Sequence, residues 1–481
     1  MKIAFKGRVL IIGCGAVSQC LQPLLLKHLQ MDFKKMTIID FQDKSNRVPN
    51  TLRAGAVFRK EKLTPQNMGR ILGKYVGKGD LIIDLAWNIE AEDILQWCHD
   101  NDVMYINTSV EEWNPYKNPT QVTIQDKTLY ARHLELQNLR KSWKKKGATA
   151  VLEHGANPGL VSHWTKMGLV AIAETLLKKQ NGSKKSGTIK RALAEKDYAK
   201  LSQILGVKTI HISERDTQIA NKPKEVGEFV NTWSVAGFHE EGTAPAEMGW
   251  GTHERRLPPG AQVHRYGPGN QICLAQMGMN TWVRSWIPSG EIVGMVIRHG
   301  EAFTISNHLT VWEDGKPVYR PTVHYAYLPC DAAIASLVEM KMNKYHLPKR
   351  ERIMNDEIIS GVDELGVLLL GHDLNGWWVG SRLSIDETRR LVPHQNATTL
   401  QVAASVLGAL AWMIKNPNEG VKVPDELPYA EVLAVANPYL GEIISVQTSW
   451  TPFTNRVEPY VQYGKPNPVL EDIWQFETFL T

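Results

Sequence analysis

The chain has 481 residues, 43% of them hydrophobic, and a formal net charge of +5. That length exceeds one ordinary core, so two or three globular domains are expected. The opening MKIAFKGRV leads into an apolar strand without a signal-type apolar region, and no later run approaches roughly 18 uninterrupted apolar residues. A soluble, cytoplasmic protein with no membrane partner is the expectation.

Five cysteines (Cys14, Cys20, Cys98, Cys273, Cys330) lack CxxC spacing, which fits neither a disulfide framework nor a zinc site; buried thiols and no metal are expected. Lysines are densest in "SWKKKGAT" and "LLKKQNGSKKSGTIKR", with no aromatic interleaving or nucleic-acid motif. They read as solvated helix ends and loops, so no nucleic acid is expected as a partner.

Taken in order, the first 110 residues alternate apolar strands with helical patterns. They run through "RVLII", a helix from about Ala16 to Leu29, "KMTIID", "GAVFR", a helix after "LTPQN", "DLIIDLAW", a helix through "EAEDILQWCHDN", and "VMYINTS". The alternation predicts an α/β, Rossmann-type, doubly wound parallel sheet over residues 1–150. From about Val122 the helices become longer and more polar, and from about Lys208 strands follow one another without helices between them. An α+β substrate or catalytic domain is therefore expected over 151–394. "SKKSG" (183–187) and "LPPGAQVHRYGPGN" (257–270) read as surface loops. "NATTLQVAASVLGALAWMIKN" carries helical spacing with Asn396 or Thr398 as N-cap, a helical return to the first domain over 395–430. Residues 431–481 form a C-terminal extension.

Gly13, Gly15 and Ser18 make a G-x-G-x-x-S turn directly after an apolar strand, with Ala16 and Val17 opening the helix, and these five residues are the expected cofactor contacts of the turn. The first glycine permits the tight turn, the second lets a pyrophosphate approach the helix N-terminus, and a small third residue lets helix and sheet approach. Asp40 ends the second strand at the spacing of a carboxylate that hydrogen-bonds the adenosine ribose and repels a 2′-phosphate, which favours NAD over NADP. Asn88 and Thr108 follow the fourth and fifth strands, at the ligand-binding edge of such sheets. Thr64 is either a helix cap or a ribose or adenine contact.

Three later segments place polar and aromatic residues where a core prefers aliphatics. In "EHGANPGLVSHW", Asn157 precedes Pro158 and Gly159 and is presented from a turn. In "HISERDTQ", Glu214 and Asp216 share one face of a strand. In "NTWSVAGFHEEGTAPAEMGWG", Trp233 is followed by Glu240, Glu241 and Glu247. Two readings stand for these acids: a solvated rim over a core aromatic, or a cation trap in which the indole face and the carboxylates hold an amine or iminium.

Together "RVLIIGCGAVSQCLQPLLLKH", "VEEW", "HGANPGLVS", "HISERDTQ", "NTWSVAGFHEEG" and "RHGEAFTISNHL" resemble the bacterial homospermidine synthase family, over nearly the whole chain. The Rossmann half, the "NPG" turn and the stretch from "ATTLQVAASVLGALAWMI" to "GVKVPDELPYAEVL" resemble the wider saccharopine dehydrogenase group, in which the catalytic domain is inserted before the chain returns to its nucleotide-binding domain. The resemblance implies a redox-neutral condensation of two putrescines, through imines and a borrowed hydride, to homospermidine and ammonia. NAD acts there as a prosthetic group, and a homodimer is part of the same implication; whether spermidine serves beside putrescine as an aminobutyl donor stays open.

By the same resemblance Trp233 faces the cationic imine, Glu241 shares its pocket, and Asn157 positions the reacting amine beside the nicotinamide. Glu111 and Glu214 hold amino groups, with the doublet Glu111 and Glu112 open in register. His299 is either a pocket group or a satisfied core histidine. Asn88 departs from a more acidic family position. The rival readings are a net NAD(P)-dependent dehydrogenase of the saccharopine or carboxynorspermidine type, whose carboxylated substrates need arginines, and a non-catalytic NAD-binding regulator. Arg215 and Arg298 are the arginines that the motif segments offer.

Overall fold

The structure, a computed structural model, describes residues 2–113, 122–179, 184–456 and 473–481. Six strands, β1 (Val9–Ile12), β2 (Met36–Asp40), β3 (Val57–Lys60), β4 (Leu81–Asp84), β5 (Met104–Asn107) and β6 (Ala150–Val151), run parallel in the order β6-β5-β4-β1-β2-β3. The sheet is covered on both faces by α1 (Ala16–His28), α2 (Met68–Tyr75) and α3 (Ala91–Asp100), with α4 (Leu129–Ser142) following β5. Burial on both faces explains why β1 is the unbroken apolar run VLII. Val9 and Ile11 join the core with α1, whereas Leu10 and Ile12 join the core with α2 and α3, as the two-residue period of a strand requires.

The second half opens with α5 (Leu160–Lys179) and α6 (Lys184–Glu195). The expected surface loop at 183–187 is thus corrected: from Lys184 the stretch already belongs to α6, since helical propagation carries the lysines and Gly187, while Ser183 lies outside the described residues. A ten-stranded mixed sheet follows, built on β7 (Thr209–Asp216). Beyond α7 (Val235–Thr243) come β8 (Pro245–Gly249), β9 (Ala261–Val263), β10 (Gln271–Met277), β11 (Trp282–Ile287) and β12 (Gly290–Met295). Further along the chain come α8 (Glu301–His308), β13 (Thr322–Leu328), β14 (Val362–His372) and β15 (Asn375–Ser384). The expected loop at 257–270 therefore contains a short strand, β9, which pairs with β10.

The main path of the sheet is β9-β10-β8-β13-β7-β14-β15, extended by β17 (Glu442–Thr448), with the hairpin β11–β12 attached to β13. Only the β13–β7 pair on that path is parallel. Between β15 and β17 lie α9 (Ala397–Lys415) and β16 (Val421–Lys422), and β16 pairs in parallel with β6 at the edge of the first sheet. Asn396 caps α9 by accepting from the Thr399 N–H at 2.8 Å. By length and composition α9 is apolar enough to cross a membrane, but 83% of its apolar window is buried in the fold, packed on α1. Residues 457–472 of the expected C-terminal extension lie outside the described residues.

Candidate active site

A cavity of about 730 Å³ lies where the carboxyl ends of β1, β2, β4 and β5 face the second sheet. Its first end is built by the G-x-G turn. Gly13 sits at φ +88°, and a Cβ there would lie 2.8 Å from the Leu85 carbonyl oxygen, so glycine is required on both grounds. A Cβ on Gly15 would meet no atom within 4 Å, so the space before α1 stays open. The first turn of α1 has no acidic residue and no side-chain cap, which leaves its N–H groups and positive dipole end for an anion.

Asp40, at the end of β2, accepts from the Cys14 N–H at 2.7 Å and the Gln42 N–H at 2.8 Å and pairs with Lys44 at 3.2 Å. Ala16, Val17, Asp40, Phe41, Thr64, Asn88 and Thr108 all line this end. Asn88 is at φ +59° and its Oδ1 is buried without a hydrogen-bond partner among the described residues, an acceptor free for a ligand. The Thr64 hydroxyl does not cap α2, which begins at Met68; instead the Asn67 side chain accepts from the Thr64 N–H at 2.9 Å. Ser18 corrects the cofactor reading at its position: it is fully buried, 3.3 Å from Gln22 Nε2, and does not line the cavity. Its small size serves the packing of α1.

The other end gathers acids around an aromatic. Glu214 on β7 is buried, and its Oε2 accepts from the Tyr325 hydroxyl of β13 and, at 3.4 Å, from Asn157 Nδ2. Burial, first of all, pushes its carboxyl up to about 7. Glu111, after β5, accepts from Ser109 Oγ at 2.8 Å, and burial followed by repulsion from Glu240 pushes it up to about 8. The doublet resolves in register: Glu111 lines the cavity, while Glu112 pairs with Arg132. Trp233 lines the wall just ahead of α7 and donates its indole N–H to the Tyr327 hydroxyl at 2.9 Å. Ser234 caps α7 by accepting from the Gly237 N–H at 3.1 Å, so Gly237 and Glu241, one turn apart, both face the cavity. His299 also lines it, with Nε2 at 3.0 Å from Glu241 Oε2.

The remaining acids named from the sequence serve elsewhere. Glu240 is paired with Arg298, and Asp216 accepts from Gln218 and Thr232. Glu247 caps α4, accepting from the Leu129 N–H at 2.9 Å and the Tyr130 N–H at 3.4 Å. Arg215 points to Pro329 O and Asp331. No arginine lines the cavity among the described residues. The sequence reading missed Tyr325; its signal was the alternation in "TVHYAYL", which places Tyr325 and Tyr327 on the same face of β13.

The two halves that face one another across this cavity both match saccharopine dehydrogenase families: residues 9–151 match the saccharopine dehydrogenase NADP binding domain family and residues 155–447 the saccharopine dehydrogenase C-terminal domain family. Within that class the chain belongs to the homospermidine synthase family. It is 39% identical to homospermidine synthase of Blastochloris viridis, over 98% of this chain and 97% of that one, and 38% identical to homospermidine synthase of Mesorhizobium japonicum, over 98% and 96%. The crystal structure of homospermidine synthase from Legionella pneumophila in complex with NAD superposes with a TM-score of 0.88 at 38% identity, covering 100% of this chain and 99% of that one.

Proposed function

We propose that the protein is a homospermidine synthase that uses NAD as a prosthetic group and putrescine as substrate. The observation that carries the reading is the cavity's second end, where Glu111, Glu214 and Glu241 share the lining with Trp233 and Asn157 and no arginine lines the cavity among the described residues. Such a lining suits a diamine and opposes a carboxylated substrate, which disfavours the net dehydrogenase. The organised acids and indole likewise disfavour a non-catalytic regulator.

The first end fits NAD: the open N-terminus of α1 would hold the pyrophosphate, and Asp40 the adenosine ribose. Bound there, NAD supplies reversible hydride chemistry, so that two putrescines become homospermidine and ammonia with no net oxidation. The amines of putrescine titrate near pH ~10, as a lysine does, so the reacting one must lose a proton to the protein. Glu214, with its carboxyl near 7, takes that proton on its carboxylate, whose Oε2 is held in place by Asn157 Nδ2 and the Tyr325 hydroxyl. Glu111 holds a distal amino group, and the Trp233 face with Glu241 stabilises the cationic imine of the substrate.

The reading further includes a cytoplasmic location, a homodimer, and spermidine as a second aminobutyl donor. Purified protein given putrescine and catalytic NAD tests it, with homospermidine and ammonia followed by mass spectrometry and NADH by absorbance. Homospermidine without accumulating NADH is expected; stoichiometric NADH without the coupled amine would refute it. Spermidine in the same assay and light scattering check the donor and the dimer.

A further inference from the structure

His299 stands between two carboxylates. Its Nε2 lies 3.0 Å from Glu241 Oε2 at the cavity wall, and its Nδ1 lies 3.2 Å from Glu301 Oε1 behind it. A neutral imidazole has one N–H and one lone pair, so it satisfies only one carboxylate and sets its lone pair against the other; an imidazolium satisfies both. Glu301, the first residue of α8, is fully buried, and its Oε2 has no partner among the described residues. Burial pushes the Glu301 carboxyl up and the charge of the His299 ring draws it back, and that ring, hydrogen-bonded to Glu301, is its compensating cation among the described residues.

The surroundings repeat the device. Glu153 packs so closely on Gly300 that a Cβ there would overlap its carboxylate, and Glu153 Oε2 holds His133 Nε2 of α4 at 2.6 Å. Ionisable groups therefore run from the cavity inward as Glu241, His299, Glu301, Glu153 and His133, with each histidine against a carboxyl group. The groups facing the His299 ring are Glu241 from α7, Glu301 from α8, and Tyr325 from β13, whose ring centre is 4.5 Å away; Glu214 of β7 adds its charge, and Glu153 faces Glu301.

We infer that Glu301 is a positioning residue that locks His299 as a standing imidazolium, so that His299 orients the Glu241 carboxylate and does not act as the base of the reaction. Burial alone disfavours the charge on His299, but the fields of Glu301 and Glu241 outweigh it and hold the ring protonated well above its ordinary range. With both ring nitrogens already protonated, His299 has no lone pair with which to accept a proton from the amine. Among the groups at the wall, that role falls to Glu214. The inference rests on the synthase reading for its chemical meaning, but not for its test.

The test is ¹⁵N NMR of the histidine rings at pH 8, with the His299 signals assigned by their loss in His299→Gln. In the unaltered protein the His299 ring is expected to carry two protons, and in Glu301→Gln one, because loss of an opposite charge at hydrogen-bond distance lowers a pKa by roughly 1–3 units. In the putrescine assay Glu301→Gln is expected to move the alkaline limb of kcat/KM down by about one pH unit or more. An unaltered ring with one proton at pH 8, a Glu301→Gln ring that keeps two, or an unmoved alkaline limb overturns the inference. The first of these needs no folded variant of Glu301. A protein inactive on putrescine overturns the synthase reading instead, and the ring measurement still decides the state of His299.

Discussion

Trp233→Ala isolates the step at which the substrate becomes a cation. The indole is fixed in the cavity wall by the bond from its Nε1 to the Tyr327 hydroxyl at 2.9 Å, so its ring face is presented in one orientation. A desolvated cation over such a face gains ~2 kcal/mol. At about 1.4 kcal/mol per factor of ten, removing it slows the reaction about 30-fold. The nucleotide end is built from Gly13, α1 and Asp40 on the other sheet, so the affinity for NAD is expected to stay within about twofold, a change of less than ~0.5 kcal/mol. Trp233→Phe keeps an aromatic face and loses only the N–H to Tyr327, a bond of about 1 kcal/mol, so its loss falls between the two. The assay is kcat/KM for homospermidine formation, paired with calorimetric titration of NAD. An alanine variant within about threefold of the unaltered enzyme, less than ~1 kcal/mol, would remove the cation-stabilising role. Equal losses of turnover and of NAD binding would show that Trp233 acts on the cofactor.

Three further outcomes follow from the same geometry. Burial raises the Glu111 carboxyl from its ordinary 4.5 to about 8, so the unfolded chain loses that proton first and stability falls as pH rises between those values. Glu111→Gln removes this loss: its Tm should exceed the unaltered protein's by several degrees at pH 8 and approach it near pH 5, and an equal gap at both would contradict the cause. Gly13→Ala forces a Cβ against the Leu85 carbonyl at φ +88°, costing roughly 1–3 kcal/mol in denaturant unfolding. It should weaken NAD binding at least about tenfold, or ~1.4 kcal/mol, and unchanged NAD binding would mean that the turn is structural only. Glu247→Ala leaves the first N–H groups of α4 without their buried acceptor and should lower unfolding free energy by about 1–3 kcal/mol, and an unchanged denaturation midpoint would refute the capping role.

Legibility followed the distance over which each feature is encoded. The nucleotide end is local in sequence: the turn at Gly13 and Gly15, the apolar strand before it and Asp40 at the next strand end could be found within the first 40 residues. The acids were harder to sort, because glutamates near Trp233 look alike until partners are assigned. Glu241 faces the cavity, Glu240 meets Arg298 and Glu247 meets α4, and each partner lies far along the chain. Ser18 was misassigned because its place in the turn motif is shared by residues that touch a ligand and residues that pack the helix. The α6 start was misread because Gly187 and clustered lysines signal a loop locally, while packing of the helix on its neighbours decides otherwise.

The net charge of +5 and an amine-binding cavity are compatible because the field is organised along the cavity rather than averaged over the surface. The two lysines in its described lining, Lys44 and Lys62, stand with Asp40 and Glu61 at the end where α1 offers its N-terminus, so the free N–H groups and dipole of the helix are what suit a pyrophosphate there. Beyond the midpoint the ionisable carboxyls in the lining are Glu111, Glu214 and Glu241, and His299, the one basic side chain there among the described residues, is tied to Glu301 behind the wall. On the proposed reading the α1 N-terminus would hold the pyrophosphate at one end and the acids the diamine at the other, with Asn157 and Trp233 in the lining beside those acids. Reversing one charge at the substrate end, as in Glu241→Lys, should therefore impair putrescine far more than NAD, whereas Asp40→Lys should do the opposite.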